Sequence, residues 1–402
     1  MERDTFILFA TRIIRLFGYG FLSVVLALYL SAAGFSEIKI GLLLTLTLAG
    51  DAVISLWLTT SADRIGRRKM LIIGAALMLL AGAVFLLSRN PLLLTLAAIV
   101  GVISPSGNEI GPFLSIEQAG LTQLVPNENR TRIFAWYNLV GSFATAAGSM
   151  SGGWLAQGLQ ANGWTALNSY RFVMAGYAFA GLALIFCFFT LTHAVEVEAQ
   201  AQNKKSTFGL HKSRKVVLKL SGLFALDAFA GALIVQSMMA FWFHIRFGVE
   251  SGIIGSFFFA ANILAGVSAL LAAGIARKIG LINTMVFTHI PSNILLMLVP
   301  LMPSLPLAIA MLLARFSISQ MDVPTRQSYT MAVVAPDERS AASGVTAIAR
   351  SVGSAISPSL TGIFLGIPAL LSFPFFLSGG LKIIYDIALW RNFRAIKPPE
   401  ES

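Results

Sequence analysis

The sequence predicts an all-α polytopic membrane protein, with twelve transmembrane helices in two six-helix, pseudo-symmetric bundles. Three observations carry this reading. Apolar residues come in runs of membrane-spanning length, basic residues fall in alternate loops, and the two halves of the chain repeat one another in order.

The 402 residues are 56% hydrophobic and 12% charged, with a mean hydropathy of +0.78. A soluble chain of this length cannot hide so much apolar surface in its cores. Runs such as "FLSVVLALYL", "LIIGAALMLLAGAVFLL", "AGYAFAGLALIFCFFTLT" and "NILLMLVPLM" lie in windows near the ~20 residues that cross a bilayer. With no water in the hydrocarbon core to satisfy the backbone, such runs are helices. The spans are read at roughly 6–31, 40–61, 70–88, 91–119, 133–156, 170–193, 216–245, 252–275, 283–302, 306–334, 342–365 and 372–391. The first run is too long for a signal-peptide core and is interrupted by Arg12 and Arg15, so it is read as a retained first span.

The net charge of +11 does not point to nucleic acid, because of where it sits. "DRIGRRK" (63–69), "NRTR" (129–132), the basic residues of 194–215, "ARK" (276–278) and the "RNFRAIK" tail occupy alternate loops. This is the positive-inside pattern. It predicts a multi-pass protein of the cytoplasmic (inner) membrane with both termini in the cytoplasm. Cys187, the single cysteine, lies in span six, so no intrachain disulfide is expected. No metal-ligand spacing, phosphate loop or catalytic set stands out, so no cofactor, no metal and no enzymatic activity are expected. ATP-driven pumping is equally unsupported. A monomer is expected.

The polar segment 194–215 divides the chain into a bundle at 1–193 and a bundle at 216–402. "LVPNENRTR" after span four matches "VVAPDERSA" after span ten. "ADRIG" after span two matches "ARKIG" after span eight. "ATAAGSMSGG" in span five matches "GSAISPSLTG" in span eleven. All three pairs keep a spacing of about 210 residues, so the chain is a tandem repeat of six spans.

Twelve spans, a cytoplasmic central loop and "SADRIGRRKMLI" resemble the major facilitator superfamily, over nearly the whole chain, and its prokaryotic, exporter-like subgroup in particular. In the loop motif, Asp63, Arg64, Gly66, Arg67 and Arg68 match, while Thr59 replaces the leading Gly. The resemblance implies that this loop gates the cytoplasmic rim, its ion pairs holding one conformation. Gly148, Gly152 and Gly153 in span five resemble the glycine pattern of proton-coupled exporters. Ala144 and Ser149 depart from that pattern, and the exporters' span-four arginine is missing. Small residues at this spacing also let helices pack closely in lipid.

A charge at the centre of a span costs about 2.5–3.5 kcal/mol on insertion scales. Here they include Arg12 and Arg15 in span one, Asp51 in two, Glu109 and Glu117 in four, Asp227 in seven, His289 in nine, Arg315, Asp322 and Arg326 in ten, and Arg350 in eleven. At ~100° per residue, Arg315, Ser319, Asp322, Arg326 and Tyr329 share one face of span ten. Asp322 and Arg326 are four apart and can pair, and Pro324 predicts a bend. Tyr19 extends the face of Arg12 and Arg15; span four adds Asn108, and span seven adds Gln236. The resemblance implies that spans one, four, seven and ten line a central cavity. Glu117 would then approach Arg326, directly or through substrate.

These residues predict a secondary transporter that moves a small organic solute by alternating access, coupled to protons and working in efflux. Arg12, Arg15, Tyr19, Asn108, Glu117, Gln236, Arg315, Arg326 and Tyr329 are the candidate solute contacts. Asp227 is the first candidate proton carrier, then Glu109, with Asp322 and Asp51 behind them. Two alternatives stay open. The cavity arginines suit a carboxylate or phosphate ester, as in an organic-anion exchanger or importer. A membrane receptor that no longer transports is the other.

Overall fold

The computed structural model describes residues 2–108, 112–126, 130–196, 211–335 and 338–396. Glu109 lies outside the described residues. Among those described, the secondary structure is helical and contains no strand.

Among the described residues, eight stretches are long and apolar enough to cross a bilayer: Arg3–Ser23, Glu37–Ile65, Arg67–Leu87, Ala166–Phe189, Arg214–Phe247, Ser251–Ile279, Leu281–Leu301 and Pro368–Phe393. They correspond to expected spans one, two, three, six, seven, eight, nine and twelve. Spans five and eleven are continuous helices, α7 (Arg130–Ala161) and α15 (Arg339–Leu365), rich in Gly, Ser and Ala. Spans four and ten are each two shorter helices, α5 (Pro91–Val100) with α6 (Phe113–Leu124), and α13 (Leu305–Phe316) with α14 (Asp322–Ala332). The exceptions therefore recur at repeat-related positions.

The interruptions have local causes. Between α5 and α6 lie Pro105, Gly107 at φ +70° and Pro112. Between α13 and α14, residues 317–321 form turns. Pro324 lacks the N–H that would bond the Gln320 carbonyl, so the regular helix restarts only at Asp322. Spans one and seven are interrupted as well. Span one is α1 (Glu2–Ser23) then α2 (Leu26–Ala32), and span seven is α9 (Arg214–Ala232) then α10 (Gln236–Phe247). In lipid the carbonyls freed at such a break need donors. At the end of α9 they find them: Ser357, Ser378 and Thr361 hydroxyls donate to the carbonyls of Phe229, Ala230 and Leu233 at 2.5, 2.7 and 2.6 Å.

Packing follows the repeat too. α7 lies along α1, and α15 lies along α9. A Cβ on Gly148 would stand 2.1 Å from the Phe17 carbonyl oxygen, and one on Gly353 would stand 2.3 Å from that of Ala225. Backbones this close exclude any side chain. The remaining helices are α3 (Glu37–Ile65), α4 (Arg67–Leu87), α8 (Ala166–Phe189), α11 (Ser251–Ile279), α12 (Leu281–Leu298) and α16 (Phe373–Phe393). Within them α4 packs on α8, and α12 on α16.

The helices group into two compact units, Met1–Lys205 with Val235–Phe259, and Ser206–Ile234 with Ala260–Ser402. Residues 235–259 group with the first unit. The break at Leu233–Val235 frees α10 to pack on α2. The Gln236 amide donates to Ser23 Oγ at 2.8 Å and Ser149 Oγ at 3.0 Å, and Ser237 Oγ donates to the Pro105 carbonyl at 2.8 Å.

Two carboxylates outside the spans cap chain segments. Glu196 accepts from the Arg67 and Arg68 N–H groups, at 2.7 and 3.1 Å, at the start of α4. In the second unit, Glu338 accepts from the N–H groups of His211, Lys212 and Ser213 at 2.5, 2.8 and 2.8 Å, just before α9. Desolvation raises the Glu338 carboxyl, but the donors of His211, Ser213 and Lys212 outweigh it and bring it from 4.5 to about 2. A depressed carboxyl stabilises the fold above its ordinary value, and that contribution fades as pH falls from 4.5 toward about 2. Hydrogen exchange of residues 211–213 should therefore accelerate across that window. In Glu338→Gln it should already be fast at neutral pH and lose the pH dependence.

Candidate functional site

In the first unit the buried charges of spans one and four meet. Arg15 on α1 and Glu117 on α6 are both 0% exposed. The pair is bidentate: Arg15 Nη1 donates to Glu117 Oε1 at 2.8 Å, and Nη2 to Oε2 at 2.7 Å. Thr11 Oγ1 donates to Oε1 at 2.8 Å, and the Tyr137 hydroxyl from α7 donates to Oε2. The Arg15 guanidinium lies over the Phe113 ring, 4.7 Å from its centroid. The fork of arginine matches a carboxylate, and the hydroxyls satisfy its remaining lone pairs.

Arg12 turns to α7 instead. Its Nε donates to the Tyr137 carbonyl at 2.7 Å, its Nη2 to Asn138 Oδ1 at 3.2 Å, and it stacks on the Tyr137 ring at 4.3 Å. Tyr19 is fully buried one turn beyond Arg15. Asp51 on α3 is half-buried and accepts from Ser55 Oγ at 3.4 Å. Asn108 is exposed in the α5–α6 break, its carbonyl accepting from Ser104 Oγ at 2.8 Å.

The loop between α3 and α4 belongs to the same unit. Gly66 has φ +118°, a conformation that disfavours side chains, and a Cβ there would press on Glu196 Oε1. Arg67 is buried. Its Nε donates to Asp63 Oδ1 at 2.9 Å, and its Nη1 to Gln123 Oε1 at 3.0 Å and the Val195 carbonyl at 3.1 Å. Arg68 Nη2 donates to the Phe189 carbonyl at 2.5 Å. Arg64 is exposed. The motif thus ties the α3–α4 turn to α6 and to the end of α8 through Arg67 and Arg68.

In the second unit, Asp227 on α9 gathers cations from three helices. Lys382 Nζ on α16 reaches Oδ1 at 2.7 Å. Arg326 Nη1 on α14 and Arg350 Nη1 on α15 reach Oδ2 at 3.0 and 3.2 Å. Arg326 also holds Asp322 at 2.9 Å, the i,i+4 pair expected from the sequence. None of these three cations shares a helix with Asp227, so its own span gives no sign of them. A proton on Asp227 would leave three cations facing a neutral acid.

Arg315 ends α13 beside the break and lies over the Phe316 ring at 4.9 Å. Its buried Nε has no hydrogen-bond partner among the described residues. Tyr329, expected on the polar face of span ten, is fully buried. Its hydroxyl donates toward the Ile396 carbonyl at 3.0 Å and the Phe393 carbonyl at 3.3 Å, which fastens α14 to the end of α16. Glu117 and Arg326, paired with each other in the sequence reading, are each neutralised within their own unit, by Arg15 and by Asp227 with Asp322.

Four buried residues escaped the sequence reading. Tyr137 complements Glu117. Lys382 holds Asp227. Asp386 on α16 takes His289 Nδ1 at 2.9 Å on one oxygen and Asn293 Nδ2 at 3.2 Å on the other. The available signal was the i,i+4 spacing of Lys382 and Asp386 inside the apolar "LKIIYDIALW" of span twelve.

Interrupted helices carrying buried ion pairs, among apolar spans in a tandem repeat, define a multi-pass membrane carrier. The sequence profile of the Major Facilitator Superfamily matches residues 8–358, and the chain belongs to that family. It is a membrane-embedded secondary transporter by that membership, which also fits a non-enzymatic role. An uncharacterized membrane protein of Saccharomyces cerevisiae is 32% identical over 419 residues, covering 96% of this chain and 93% of that protein. The fold is similar to a bacterial homologue of the human lysosomal transporter Spinster, at TM-score 0.74 and 16% identity over 97% of this chain and 96% of that one. It is also similar to a D-xylose–proton symporter, at TM-score 0.76 and 15% identity over 96% and 97% of the two chains.

Removing one partner of a buried ion pair leaves an uncompensated charge and costs about 3–5 kcal/mol. Glu117→Gln should lose stability on that scale in mixed-micelle unfolding. The double variant Arg15→Met, Glu117→Leu should recover most of it, since no charge is left unpaired. Equal losses in the single and double variants would show that the pair's packing matters and not its charge.

Proposed function

We propose that this chain is a proton-coupled secondary transporter of a small organic solute, working by alternating access in the export direction. The observation that carries the reading is the convergence of ionisable groups on buried carboxylates of the interrupted spans, Glu117 in the first unit and Asp227 in the second. Buried charges of this cost are retained in membrane proteins where they bind and move ions or solutes. Interrupted helices are the usual place for such sites near the bilayer midplane. The export direction is supported by the exporter-like glycines of span five. The alternating basic loops support two cytoplasmic termini in a cytoplasmic (inner) membrane.

A second reading, an organic-anion carrier, is favoured by Arg315. A guanidinium whose buried Nε has no hydrogen-bond partner among the described residues suits a carboxylate or phosphate ester. Ser319 Oγ, one turn on, is buried and likewise without a partner there.

Reconstitution into liposomes tests both. Flux of weak acids, sugar phosphates and lipophilic cations is measured with and without an imposed pH gradient of either sign. An inward-acid or outward-acid gradient should accelerate flux of at least one transported solute; coupling fails if no transported solute responds. Arg315→Gln should abolish flux of anions and spare cations. Equal flux of anions in the variant and the parent removes the anion reading.

A further inference from the structure

The proton-coupled reading requires a group that can be both protonated and deprotonated inside the spans, and the following rests on that reading. Asp4, at the start of α1, is held by Thr192, and the other carboxylates buried in the spans among the described residues are of two kinds. Glu117, Asp227 and Asp322 face guanidinium or ammonium groups. Such groups only donate hydrogen bonds, so a protonated acid opposite them loses its partner and strands a cation.

Asp386 is different. It is fully buried, and its partners are His289 and Asn293 of α12, buried as well. Imidazole and carboxamide each donate and accept. Asn293 now donates through Nδ2, while its Oδ1 is buried without a hydrogen-bond partner among the described residues. A half-turn of that amide turns the spare acceptor toward a protonated Asp386. His289 Nδ1 serves either state by changing tautomer or charge. Both partners therefore accommodate a proton that the partners of Asp227 do not.

We propose that His289 and Asp386 hold the exchangeable proton of this carrier, and that Lys382 transmits its loading to Asp227. In the unloaded state neutral His289 donates Nδ1–H to the Asp386 carboxylate. The proton adds at His289 Nε2. The ring then stands as imidazolium against the carboxylate, or passes its Nδ1 proton to Asp386 and stands as the Nε2–H tautomer against a neutral acid. In the second case the Nδ1–H bond breaks as the carboxyl O–H forms. Either way Nε2 gains a hydrogen, and the pair changes from one negative charge to none.

Lys382 stands one turn before Asp386 on α16 and 2.7 Å from Asp227 Oδ1, between two carboxylates. With the pair unloaded, three bonded carboxylates (Asp227, Asp322, Asp386) balance three bonded cations (Arg326, Arg350, Lys382). Two further groups lie nearby: Tyr385, whose ring meets His289 edge-on at 6.1 Å, and Arg315 on α13, which packs on α12. Loading a proton leaves the cluster one cation in excess. The contact that yields is Arg350, whose 3.2 Å contact to Asp227 is the longest of the three and whose side chain is 36% exposed. Proton uptake on α12 and α16 thereby frees a guanidinium of α15 to meet solvent or solute.

The chain has four histidines, and His193, His211 and His244 are exposed. Replacing those three by Gln leaves His289 as the one imidazole, so nitrogen-15 NMR of histidine-labelled full-length protein in micelles reads this ring alone. Nitrogen-15 spectra recorded as the pH of the medium is varied should show this ring in both its unloaded and its loaded state. Asp386→Asn should change the balance between those two states, because it removes the carboxylate that the ring faces. If Asp386→Asn does not fold, Asn293→Leu disturbs the same pair and should displace it too. A ring that keeps one state across the range, or a titration untouched by either variant, overturns the proposal. Liposome flux that follows a pH gradient beside a silent His289 would keep proton coupling and move the proton to another group. A titrating His289 in a protein whose flux ignores every gradient would overturn the coupling and leave the site.

Discussion

A carboxylate inside a membrane-spanning helix must be met by donors from neighbouring helices, and the second unit is organised around one that meets three. Asp227 draws Lys382, Arg326 and Arg350 to a single point, so α9, α14, α15 and α16 are tied electrostatically as well as by packing. The same rule shapes the first unit, where Glu117 joins α6 to α1 and α7 through Arg15, Thr11 and Tyr137. In hydrocarbon neither carboxylate has water to fall back on, so each cluster is either complete or very costly.

The interruptions of the helices belong to the same account. In a continuous helix the backbone is satisfied internally and side chains alone face a solute. At the break in span seven, backbone carbonyls come free and are taken by the hydroxyls of Thr361, Ser357 and Ser378. The interrupted spans one, four, seven and ten also carry Arg15, Glu117, Asp227, Asp322 and Arg326. The uninterrupted helices α7 and α15 supply small residues beside Tyr137 and Arg350, and Gly148 and Gly353 bring them into backbone contact with α1 and α9. One repeat unit therefore combines a broken, charged helix with a smooth, small-residue partner, and the chain uses that combination twice.

Much of this was legible in the sequence. Run length and alternate basic loops mark the spans, internal repetition marks the halves, and Pro324 marks the disturbance in span ten. The i,i+4 rule paired Asp322 with Arg326 because both sit on one helix. What stayed hidden was tertiary partner choice. Glu117 pairs with Arg15 of its own unit, Asp227 gathers Lys382, Arg326 and Arg350 from three other helices, and Tyr329 fastens the end of α16. Lys382 and Asp386 were passed over because their span is otherwise strongly apolar. Two ionisable residues one turn apart in such a span carry more information than their number suggests, since each must have a partner on another helix.

The central claim is that the Asp227 cluster is transport machinery and not only internal glue. The direct test compares Asp227→Asn with the double variant Asp227→Asn, Lys382→Met, by stability in micelles and by gradient-driven flux in liposomes. Removing Asp227 alone strands its cations, so the single variant should be destabilised. The double variant removes one charge of each sign, and it should regain most of the stability while flux stays at background. A double variant that is stable and transports at the parent rate would contradict the account, because the cluster would then be dispensable for function.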